Sequence, residues 1–577
     1  MSNNHQTIDS WQINKIVVIG PGIVGMPMAA MLAHARICEG TDHPTEVVVI
    51  QRNSATSGWK VAAINSGRSP IGGLEPDLDN IVAQAVASGL LRASHSYSEV
   101  READVILVCV QTDKNGLGPD YVPLFDALTH VAVELQQKPT SKTPLIIFES
   151  TLAPSTMTTL IRNHFARYDL IEGRDILLGN SPNRVMPGRL VHRIMNSDKI
   201  VAGLNPQTPE RIHRLYSKIV TSGTLYQTNS LTAEVVKTLE NAYRDVRIAY
   251  AAEIVRYCDA HDFNFHDVRK LINTRLSQTD DASENPNAVP SGGLLLPTIG
   301  VGGHCLPKDG ILLWWRKLAS GADTANSLIL KAREINDESP AATIRLAEQV
   351  WGALEGKSIA LFGTAYRFNS EDTRNSPTIQ LARQLLEKGC AVMMHDPYVK
   401  PDDQNLVKFD MYPYFTRDIS RAVESADYLI FCAAHRIYAD DLTSITQHAP
   451  HLKGVLDGCH LYPHTTMPGI GKGRTTPPPE FIDFVYDGFR AIETGVANEV
   501  LSLLNFLNDH YVIDDFNRAI FTRVQHIAGT CGTGCKIVDP GLVSTLPTYQ
   551  GFSSRLAQCA YEHSQQEASL GTFAQAA

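Results

Sequence analysis

The 577-residue sequence lacks a long hydrophobic run, a cluster of lysine or arginine, and an apolar segment near its first residue. A helix that crosses a bilayer needs about 20 consecutive apolar residues, so we expect no membrane partner. Residues 1–15 are polar, which does not fit a secretory signal. The net charge of −10, without a basic patch, argues against nucleic acid as a partner. These absences favour a cytoplasmic protein.

The ten cysteines are scattered rather than spaced as a disulfide framework or a metal site. Several lie in apolar runs such as Val108-Cys109-Val110, which is typical of reduced core residues in a cytoplasmic protein. A glycine-rich loop at 529–535 contains two cysteines, but partner ligands for a metal are not evident. A plain loop is favoured there over a redox pair or half a metal site, and no metal is predicted.

The amino-terminal region, residues 14–225, begins with the pattern of a dinucleotide-binding domain. An apolar strand at 15–19 leads into Gly20-Pro21-Gly22-Ile23-Val24-Gly25, and residues 26–35 then have a helical pattern. In a G-x-G-x-x-G turn the first glycine makes the turn, the second admits a pyrophosphate, and the third lets the helix pack on the strand. The helix start adds N–H groups and the positive end of its dipole. The predicted cofactor contacts are Gly20, Gly22, Ile23, Val24 and Gly25.

The second strand, at 46–50, is not followed by the acid that an NAD site usually carries there for the ribose hydroxyls. This sequence has Gln51-Arg52-Asn53-Ser54 instead. Arg52 could meet the 2′-phosphate of NADP. Alternatively, Gln51 accepts the ribose of NAD through its amide oxygen and Arg52 flanks the adenine. The sequence leaves both cofactors open.

Other polar residues follow later strands of this region. Gln111-Thr112 and Glu149-Ser150-Thr151 come after apolar runs, and residues at the carboxyl ends of parallel strands face the ligand crevice. A loop at 181–189 adds two arginines, and its alternative interpretation is a solvated turn.

The central region, residues 226–335, is predicted to be helical. Residues 231–261 contain no proline or glycine. Lys237, Asn241, Arg244 and Ile248 recur at i, i+4, i+7 and i+11, so they share one face of this helix. A solvated stripe is one interpretation. Polar residues among so many apolar neighbours usually have a partner, however.

A glycine-rich loop then delivers a single thiol. It reads Gly300-Val301-Gly302-Gly303-His304-Cys305-Leu306-Pro307-Lys308-Asp309. Glycine lets backbone approach a ligand closely, and the nearby lysine favours the thiolate that would make Cys305 a covalent nucleophile. A glycine turn with an incidental cysteine is the competing interpretation.

A second nucleotide-binding pattern occupies residues 336–465. It has apolar strands with helices between them, and a loop at 365–377 carries two arginines that suit phosphate oxygens. The predicted fold is therefore α/β, with two Rossmann-like doubly wound domains joined by a central helical domain. Residues 466–577 form an extension with amphipathic helical patterns, and its end, 562–577, is predicted to be disordered.

Taken in order, these motifs resemble those of the UDP-glucose/GDP-mannose dehydrogenase family, over about residues 15–462. The motifs that carry the resemblance are the first glycine turn with Pro27 and Ala29, residues 65–71, Ser150-Thr151, Lys237 with Glu240-Asn241, Gly302-Gly303-His304-Cys305, and residues 372–377. The form of residues 240–245 is most similar to the branch that acts on UDP-N-acetylhexosamines (UDP-ManNAc or UDP-GlcNAc). Residues 306–309 are nearer the UDP-glucose and GDP-mannose branches.

The resemblance implies an NAD-dependent, two-step oxidation of the C6 alcohol of a UDP-sugar to a carboxylate. Cys305 would capture the aldehyde as a thiohemiacetal and later carry the acid as a thioester. Lys237 and Asn241 would hold the oxyanion or an ordered water, and Asp309 would assist as a base or orient that water. A homodimer through the central helix is also implied.

Two further groups of residues match family positions that contact the ligands. The positions near the cofactor are Thr112, Thr151, Lys308 and Arg374. The positions near the nucleotide sugar are Asn183, Arg184, Arg244, Gly302, His304 and Arg367.

The sequence departs from the family pattern at Asn183, where the family has a glutamate implicated in acid–base chemistry. An amide cannot take a proton there. A nucleotide-sugar-binding pseudoenzyme and a partial oxidase that stops at the aldehyde are therefore alternatives to a complete 6-dehydrogenase. The family pattern also ends near residue 462, which leaves the extension without a role.

Overall fold

The structure, a computed structural model, describes residues 11–72, 75–139, 142–185, 188–276, 293–440, 442–463, 465–530, 532 and 534–575. The chain divides into two compact units, each assembled from separated segments. The first comprises residues up to 238 with 312–320 and 503–531. The second comprises 239–311, 321–502 and 532 onward.

The first unit contains a mostly parallel sheet. Its strands are β1 (Lys15–Ile19), β2 (Glu46–Ile50), β3 (Leu91–Ser94), β4 (Val105–Val108), β7 (Leu145–Phe148), β8 (Leu177–Asn180), β9 (Lys199–Gly203) and β10 (Leu225–Asn229), while β5 (Asp113–Asn115) and β6 (Gly118–Asp120) form a separate hairpin. The order is β10-β9-β8-β7-β4-β1-β2-β3, and only β8 and β9 pair in antiparallel fashion among these described strands. Side chains alternate between two apolar clusters. In β1, Ile16 and Val18 enter one and Val17 and Ile19 the other.

Helices cover the two faces of this sheet, as a doubly wound parallel sheet requires. They are α1 (Gly25–His34), α2 (Trp59–Asn65), α3 (Leu78–Ala87), α4 (Val122–Leu135), α5 (Arg162–Ala166), α6 (Leu190–Asn196) and α7 (Gln207–Tyr216). The sequence changes direction across the sheet between β1 and β4, which places the ligand crevice at the carboxyl ends of these two strands.

Further helices follow in the described part of the chain. They are α8 (Ser230–Ala260), α9 (Phe265–Arg275), α10 (Leu306–Ala319), α11 (Leu328–Asp337) and α12 (Ser339–Trp351). The 31 residues of α8 contain neither proline nor glycine, and this explains an unbroken helix where the sequence predicted 231–261.

The second unit contains a five-stranded, all-parallel sheet. Its strands are β11 (Ser358–Phe362), β12 (Ala391–His395), β13 (Phe415–Thr416), β14 (Tyr428–Phe431) and β15 (Gly454–Asp457), in the order β13-β12-β11-β14-β15. The helices between them are α13 (Pro377–Glu387), α14 (Gln404–Lys408), α15 (Ile419–Val423), α16 (Arg436–Asp440) and α17 (Leu442–Gln447). The predicted α/β class, with two Rossmann-like sheets and helices between them in the chain, is confirmed.

The extension is helical, with α18 (Pro479–Tyr511), α19 (Phe521–Ala528) and α20 (Arg555–Ser569). The prediction of disorder over residues 562–577 is wrong for 562–575, because α20 continues to Ser569 and a short helical turn follows at Thr572–Gln575. Residues 576–577 lie outside the described residues. Ser554 caps α20 by accepting a hydrogen bond from the backbone N–H of Ala557. Short 3-10 helices lie at Tyr97–Glu102, Tyr412–Tyr414 and Asp515–Asn517, and a π-helical segment at Thr156–Ile161 continues into α5.

Candidate active site

The turn between β1 and α1 has the shape that a pyrophosphate requires. Gly20 has a φ of +91°, and a Cβ there would lie 2.9 Å from the carbonyl oxygen of Cys109. A Cβ on Gly25 would lie 2.1 Å from the carbonyl oxygen of Gly20, so both positions require glycine. Gly22 differs, because no described atom lies within 4 Å of a Cβ built on it. In a G-x-G-x-x-G turn the second glycine leaves such space for a pyrophosphate, so the geometry suits the predicted contact at Gly22.

The start of α1 is suited to an anion. Val24 precedes the helix without a side-chain cap, and the described residues of the first turn include no acid. The backbone N–H groups at Ile23 and beyond therefore meet no competing carboxylate from this turn, and the positive end of the helix dipole favours a phosphate. The residues present fit a dinucleotide.

The ribose end of this crevice contains Gln51 and Arg52 as predicted. The Gln51 side-chain amide donates to Ser57 Oγ at 2.9 Å. The Arg52 side chain is 72% exposed and lies 3.9 Å from Asp126. An amide and a solvated guanidinium thus take the place of the usual acid.

The ends of β4 and β7 are tied together by two of the predicted cofactor residues. The buried Thr112 hydroxyl donates to the backbone oxygen of Thr151 at 2.7 Å. This hydrogen bond holds together the two loops at the carboxyl ends of β4 and β7. Polar residues at this end of the sheet face a bound ligand.

Asn183 lies in a buried polar cluster that sequence reasoning did not foresee. Its side-chain amide donates to Glu149, and its amide oxygen accepts from Lys199 Nζ at 3.1 Å. Lys199 also donates to Glu149 Oε2 at 2.9 Å, and the Tyr216 hydroxyl donates to the other Glu149 oxygen. Burial lowers the pKa of Lys199 and raises that of Tyr216. Lys199 begins a strand and Tyr216 ends a helix, so neither sits where a sequence motif would mark it.

Arg184, predicted to contact substrate, is bound by backbone and hydroxyl oxygens of its own unit. It donates to Asp198 O at 3.0 Å, to Thr530 Oγ1 at 3.1 Å and to Ile527 O at 3.3 Å. Its guanidinium therefore ties the loop after β8 to the end of α19.

The predicted stripe on α8 is present in the structure. Between residues 231 and 255, the half-buried positions are Lys237, Asn241, Arg244 and Ile248, and the others are buried. Between residues 231 and 255, the helix thus leaves half-open a face that carries a lysine, an amide and an arginine.

Asn241 is joined to the cysteine loop through Asp309. The Asn241 amide donates to Asp309 Oδ2 at 2.6 Å, and Lys308 Nζ donates to Asp309 Oδ1 at 2.6 Å. Both Lys308 and Asp309 are buried. The Lys308 ammonium group is thus enclosed and paired with Asp309, and its role as a cofactor contact stays a prediction.

Cys305 immediately precedes α10 and is half-buried. Its backbone oxygen accepts from the N–H groups of Lys308 at 3.1 Å and Asp309 at 2.9 Å, so the thiol sits at the first turn of the helix. A helix amino terminus stabilises a thiolate. This placement favours the nucleophile over the incidental cysteine.

The glycines before Cys305 pack on the loop that follows β11. A Cβ on Gly302 would lie 2.4 Å from Tyr366 Cβ, and a Cβ on Gly303, whose φ is +88°, would lie 2.9 Å from the Tyr366 ring. The Gly303 N–H donates to Arg374 O at 2.8 Å. Tyr366, whose pKa burial raises, was not predicted, although it directly precedes the predicted Arg367.

The three remaining predicted contacts lie around this loop and stripe. Arg374 pairs with Asp372 at 2.6 Å, and this hydrogen-bonded partner raises its pKa. The Arg367 guanidinium lies 5.2 Å from the Phe368 ring centroid. His304 is half-buried beside Cys305. Among the described residues, no cluster of His, Cys, Asp and Glu is placed to hold a metal ion, and no helix is long and apolar enough to cross a membrane.

A dinucleotide turn and a second parallel sheet of the nucleotide-binding type indicate a nicotinamide-dependent dehydrogenase, and the thiol at a helix start is its candidate nucleophile. Models of three domains of one family match the chain: the NAD-binding domain at residues 14–220, the central domain at 231–338 and the UDP-binding domain at 360–464. The chain therefore belongs to the UDP-glucose/GDP-mannose dehydrogenase family. It is an NAD-dependent oxidoreductase of nucleotide sugars.

Individual relatives agree with this assignment. A UDP-N-acetyl-D-mannosamine dehydrogenase of Pyrococcus horikoshii is 30% identical over 472 residues, which are 80% of this chain and 99% of the relative. An NDP-N-acetyl-D-galactosaminuronic acid dehydrogenase of Ralstonia nicotianae is 31% identical over 395 residues, 67% of this chain and 83% of the relative.

Solved structures of relatives share the fold. The UDP-D-ManNAc dehydrogenase of Pyrococcus horikoshii is 29% identical with a TM-score of 0.66, covering 80% of this chain and all of that one. The NDP-N-acetyl-D-galactosaminuronic acid dehydrogenase of Methanosarcina mazei Go1 is also 29% identical with a TM-score of 0.64, covering 80% and 96%. The extension lies beyond the residues that the family models match.

Proposed function

We propose that this chain oxidises the C6 hydroxymethyl group of a UDP-N-acetylhexosamine to a carboxylate, in two steps that each consume one NAD. The observation that carries the proposal is the arrangement of Cys305 at the start of α10, with Asn241 bound to Asp309 one turn further on. The names of the relatives make UDP-ManNAc the first substrate to test.

Cys305 is the proposed nucleophile. NAD, when bound, supplies the hydride acceptor for both oxidations. The first removes a hydride from C6 and a proton from its hydroxyl, leaving an aldehyde. The Cys305 sulfur adds to the carbonyl carbon to give a thiohemiacetal. Loss of a second hydride and of the hydroxyl proton gives a thioester, and water then releases the acid and returns the thiol.

Asn241 is the proposed partner of the developing oxyanion. Its Nδ2 carries two N–H groups, and one of them is bound to Asp309. The other is left for an oxygen in front of the helix face, where Lys237 and Arg244 add positive charge. Asp309 is a positioning residue in this proposal. Its two oxygens are held by Asn241 and Lys308, so it orients the amide better than it could accept a proton.

Asn183 is a proposed substrate contact in place of the family's glutamate. A carboxylate is still close by, because Glu149 binds the Asn183 amide directly and is held by Lys199 and Tyr216. We infer that the chain completes both oxidations, with Glu149 keeping the Asn183 amide in a fixed orientation.

The test is a panel of UDP-ManNAc, UDP-GlcNAc and UDP-glucose, each with NAD and with NADP, in which reduced cofactor and sugar product are both counted. Two reduced cofactors per uronate, fastest with a UDP-N-acetylhexosamine and NAD, is the expected result. One reduced cofactor per sugar would indicate release of the aldehyde. Binding without reduction would indicate a pseudoenzyme.

Three other expectations remain proposals. One is the division into parts at 14–225, 226–335, 336–465 and 466–577. Another is a cytoplasmic location, which suits ten scattered cysteines. The third is the homodimer through the central helix that the family resemblance implies. It holds only if a face of α8 is open to a second chain, which the contacts of α18 with α8 oppose.

A further inference from the structure

The extension contains a second version of the central helix. Residues 241–255 of α8 read NAYRDVRIAYAAEIV, and residues 487–501 of α18 read DGFRAIETGVANEVL, at a constant spacing of 246. Arginine, alanine and glutamate are identical at three of the fifteen positions, and Tyr/Phe, Val/Ile, Ile/Val and Val/Leu pairs keep the apolar face. This sequence similarity alone would be weak evidence for a repeat. The contacts of the equivalent residues carry the inference.

The two identical glutamates, Glu253 and Glu499, each accept hydrogen bonds from the start of a short helix. Glu253 of α8 accepts from the Ser554 hydroxyl at 2.6 Å and the Arg555 N–H at 2.9 Å, at the start of α20. Glu499 of α18 accepts from the Ser327 hydroxyl at 2.5 Å and the Leu328 N–H at 3.0 Å, at the start of α11.

The helices that these glutamates bind begin in the same way. Ser327 and Ser554 each occupy the N-cap, and each accepts a hydrogen bond from the third residue of its helix. α11 follows α8 in the chain, and α20 follows α18. Each long helix thus binds the short helix that belongs to the other, and α11 packs against α20.

A second exchange of the same kind occurs between the long helices. The Tyr243 hydroxyl of α8 bonds Glu493 of α18 at 3.4 Å, and Arg247 of α8 lies 5.8 Å from the ring centroid of Phe489 of α18. Tyr243 is equivalent to Phe489, and Arg247 to Glu493. A small cavity between the helices is lined by four equivalent pairs, which are Tyr243 and Phe489, Val246 and Ile492, Arg247 and Glu493, and Tyr250 and Val496.

Contacts in which residue i meets j′ and i′ meets j are the mark of a two-fold, self-complementary interface. Such interfaces normally join two copies of a chain. We infer that residues 479–569 include a diverged second copy of the α8 and α11 helices, and that the two copies pair about an internal pseudo-two-fold axis through this cavity. The face of α8 that a second chain would use is therefore occupied by α18 of the same chain.

Charge supports pairing of unlike rather than like helices. Arg247 lies beside the axis, and its equivalent Glu493 has the opposite sign; a pair of α8 helices from two chains would instead bring two Arg247 side chains to that place.

The copy also lacks the residues of the candidate site. Asp483 and Asp487 stand at the positions of Lys237 and Asn241, and residues 466–577 contain no Gly-Gly-His-Cys sequence. The second copy keeps the packing and not the site.

The test is cross-linking at the pseudo-axis in the full-length chain. Val246→Cys with Ile492→Cys should give a cross-link within one chain under mild oxidation or with a short bismaleimide, seen by peptide mapping of the monomer band. Val246→Cys alone should form no linked dimer, because its neighbour across the axis is then Ile492. In a homodimer formed through α8, the cysteines at position 246 of the two chains would lie next to each other and give a covalent dimer.

The mass of the unmodified chain in solution, by light scattering over a range of concentrations, keeps the inference testable if the cysteine variants fold poorly. A mass of 63.3 kDa, the mass of one chain, is expected. A covalent Val246→Cys dimer, or a dimer whose α8 amides become protected from hydrogen exchange only on association, would overturn the inference. A dimer in which the cysteines at position 246 of the two chains do not cross-link would form through another surface. That result supports the inference that α18 covers α8.

Discussion

The helices α8 and α18 pack in the same pattern, but the stripe of residues on the side away from this packing differs between them in residue type and in burial. On α8 the stripe of Lys237, Asn241, Arg244 and Ile248 is half-buried. The equivalent positions on α18 are Asp483, Asp487, Arg490 and Thr494, and the first three are exposed. The apolar faces of both helices are buried against each other and their short partners.

This difference separates the residues that fold the protein from those that could act on a ligand. Packing requires only apolar shape and the two helix-capping glutamates, and both copies keep these. A site additionally requires polar groups held in fixed positions, and only α8 has Asn241 bound to a buried Asp309. Residues that differ between the copies on the stripe are therefore the ones to vary.

The largest effect is expected from Cys305. Cys305→Ser should lower uronate formation by about 10⁴-fold or more, because a hydroxyl at this position is a far weaker nucleophile than a thiolate. Product and reduced cofactor are measured together under saturating substrate. The matched control is Cys535→Ser in the glycine–cysteine loop of the extension, which should react as the unmodified enzyme does. Uronate formed by Cys305→Ser at the unmodified rate would refute the covalent mechanism.

A smaller effect is expected when α8 is given the residue of α18. Asn241→Asp would place a second carboxylate where the amide now donates to Asp309 Oδ2 at 2.6 Å, so repulsion replaces a hydrogen bond. We expect a loss of about 10²–10³-fold in kcat, as for removal of one oxyanion donor. The reverse change on the other helix, Asp487→Asn, is solvent-exposed and should alter neither kcat nor KM. Equal effects at both positions would mean that the stripe has no catalytic role.

Local patterns sufficed for much of this fold. The strands at 15–19 and 46–50, the glycine turn and the half-buried stripe on α8 follow from short-range alternation and helical spacing, and the structure has them where the sequence predicted. The α/β class and the family follow from the order of these motifs. The roles of the individual site residues remain predictions, because they depend on ligands.

The features that sequence reasoning missed all depend on distant partners. The end of α20 was predicted to be disordered because its glutamines, glutamates and serines are polar. Its capping residue Ser554 is held by Glu253, which lies 301 positions earlier in the chain. Likewise, the buried Lys199 is paired with Glu149, which directly follows a different strand, β7. The composition of a short segment does not predict such long-range contacts. The repeat between α8 and α18 likewise becomes convincing only when the reciprocal contacts between equivalent residues are seen in the structure.

The two glutamates that cap across the pseudo-axis should contribute equally to stability. Glu253→Gln and Glu499→Gln each leave a buried donor at a helix start without its carboxylate oxygen, which should cost about 2–3 kcal/mol. Urea unfolding of both variants, with the exposed Glu424→Gln as control, measures this. Losses that differ several-fold between the two variants would contradict a pseudo-symmetric pair.

The smallest effect concerns pH and compares Glu234 with its equivalent on α18, Glu480. Glu234 is enclosed and accepts from the N–H groups of Ser155 and Met157 at 2.8 Å each, and burial raises its pKa to about 8. The folded chain therefore retains this proton at pH values where the unfolded chain has lost it. Stability from this group is present in full below the unfolded pKa, near 4.5, and is lost as pH rises toward 8.

Glu234→Gln should consequently flatten the pH dependence of unfolding, by about 1–2 kcal/mol between pH 6 and pH 8. Glu480→Gln, at the exposed equivalent position in the first turn of α18, should leave the same curve unchanged. Urea midpoints at intervals of half a pH unit would resolve the two. If Glu234→Gln left the slope intact, the carboxylate would be ionised throughout this range, and the two N–H donors would outweigh its burial.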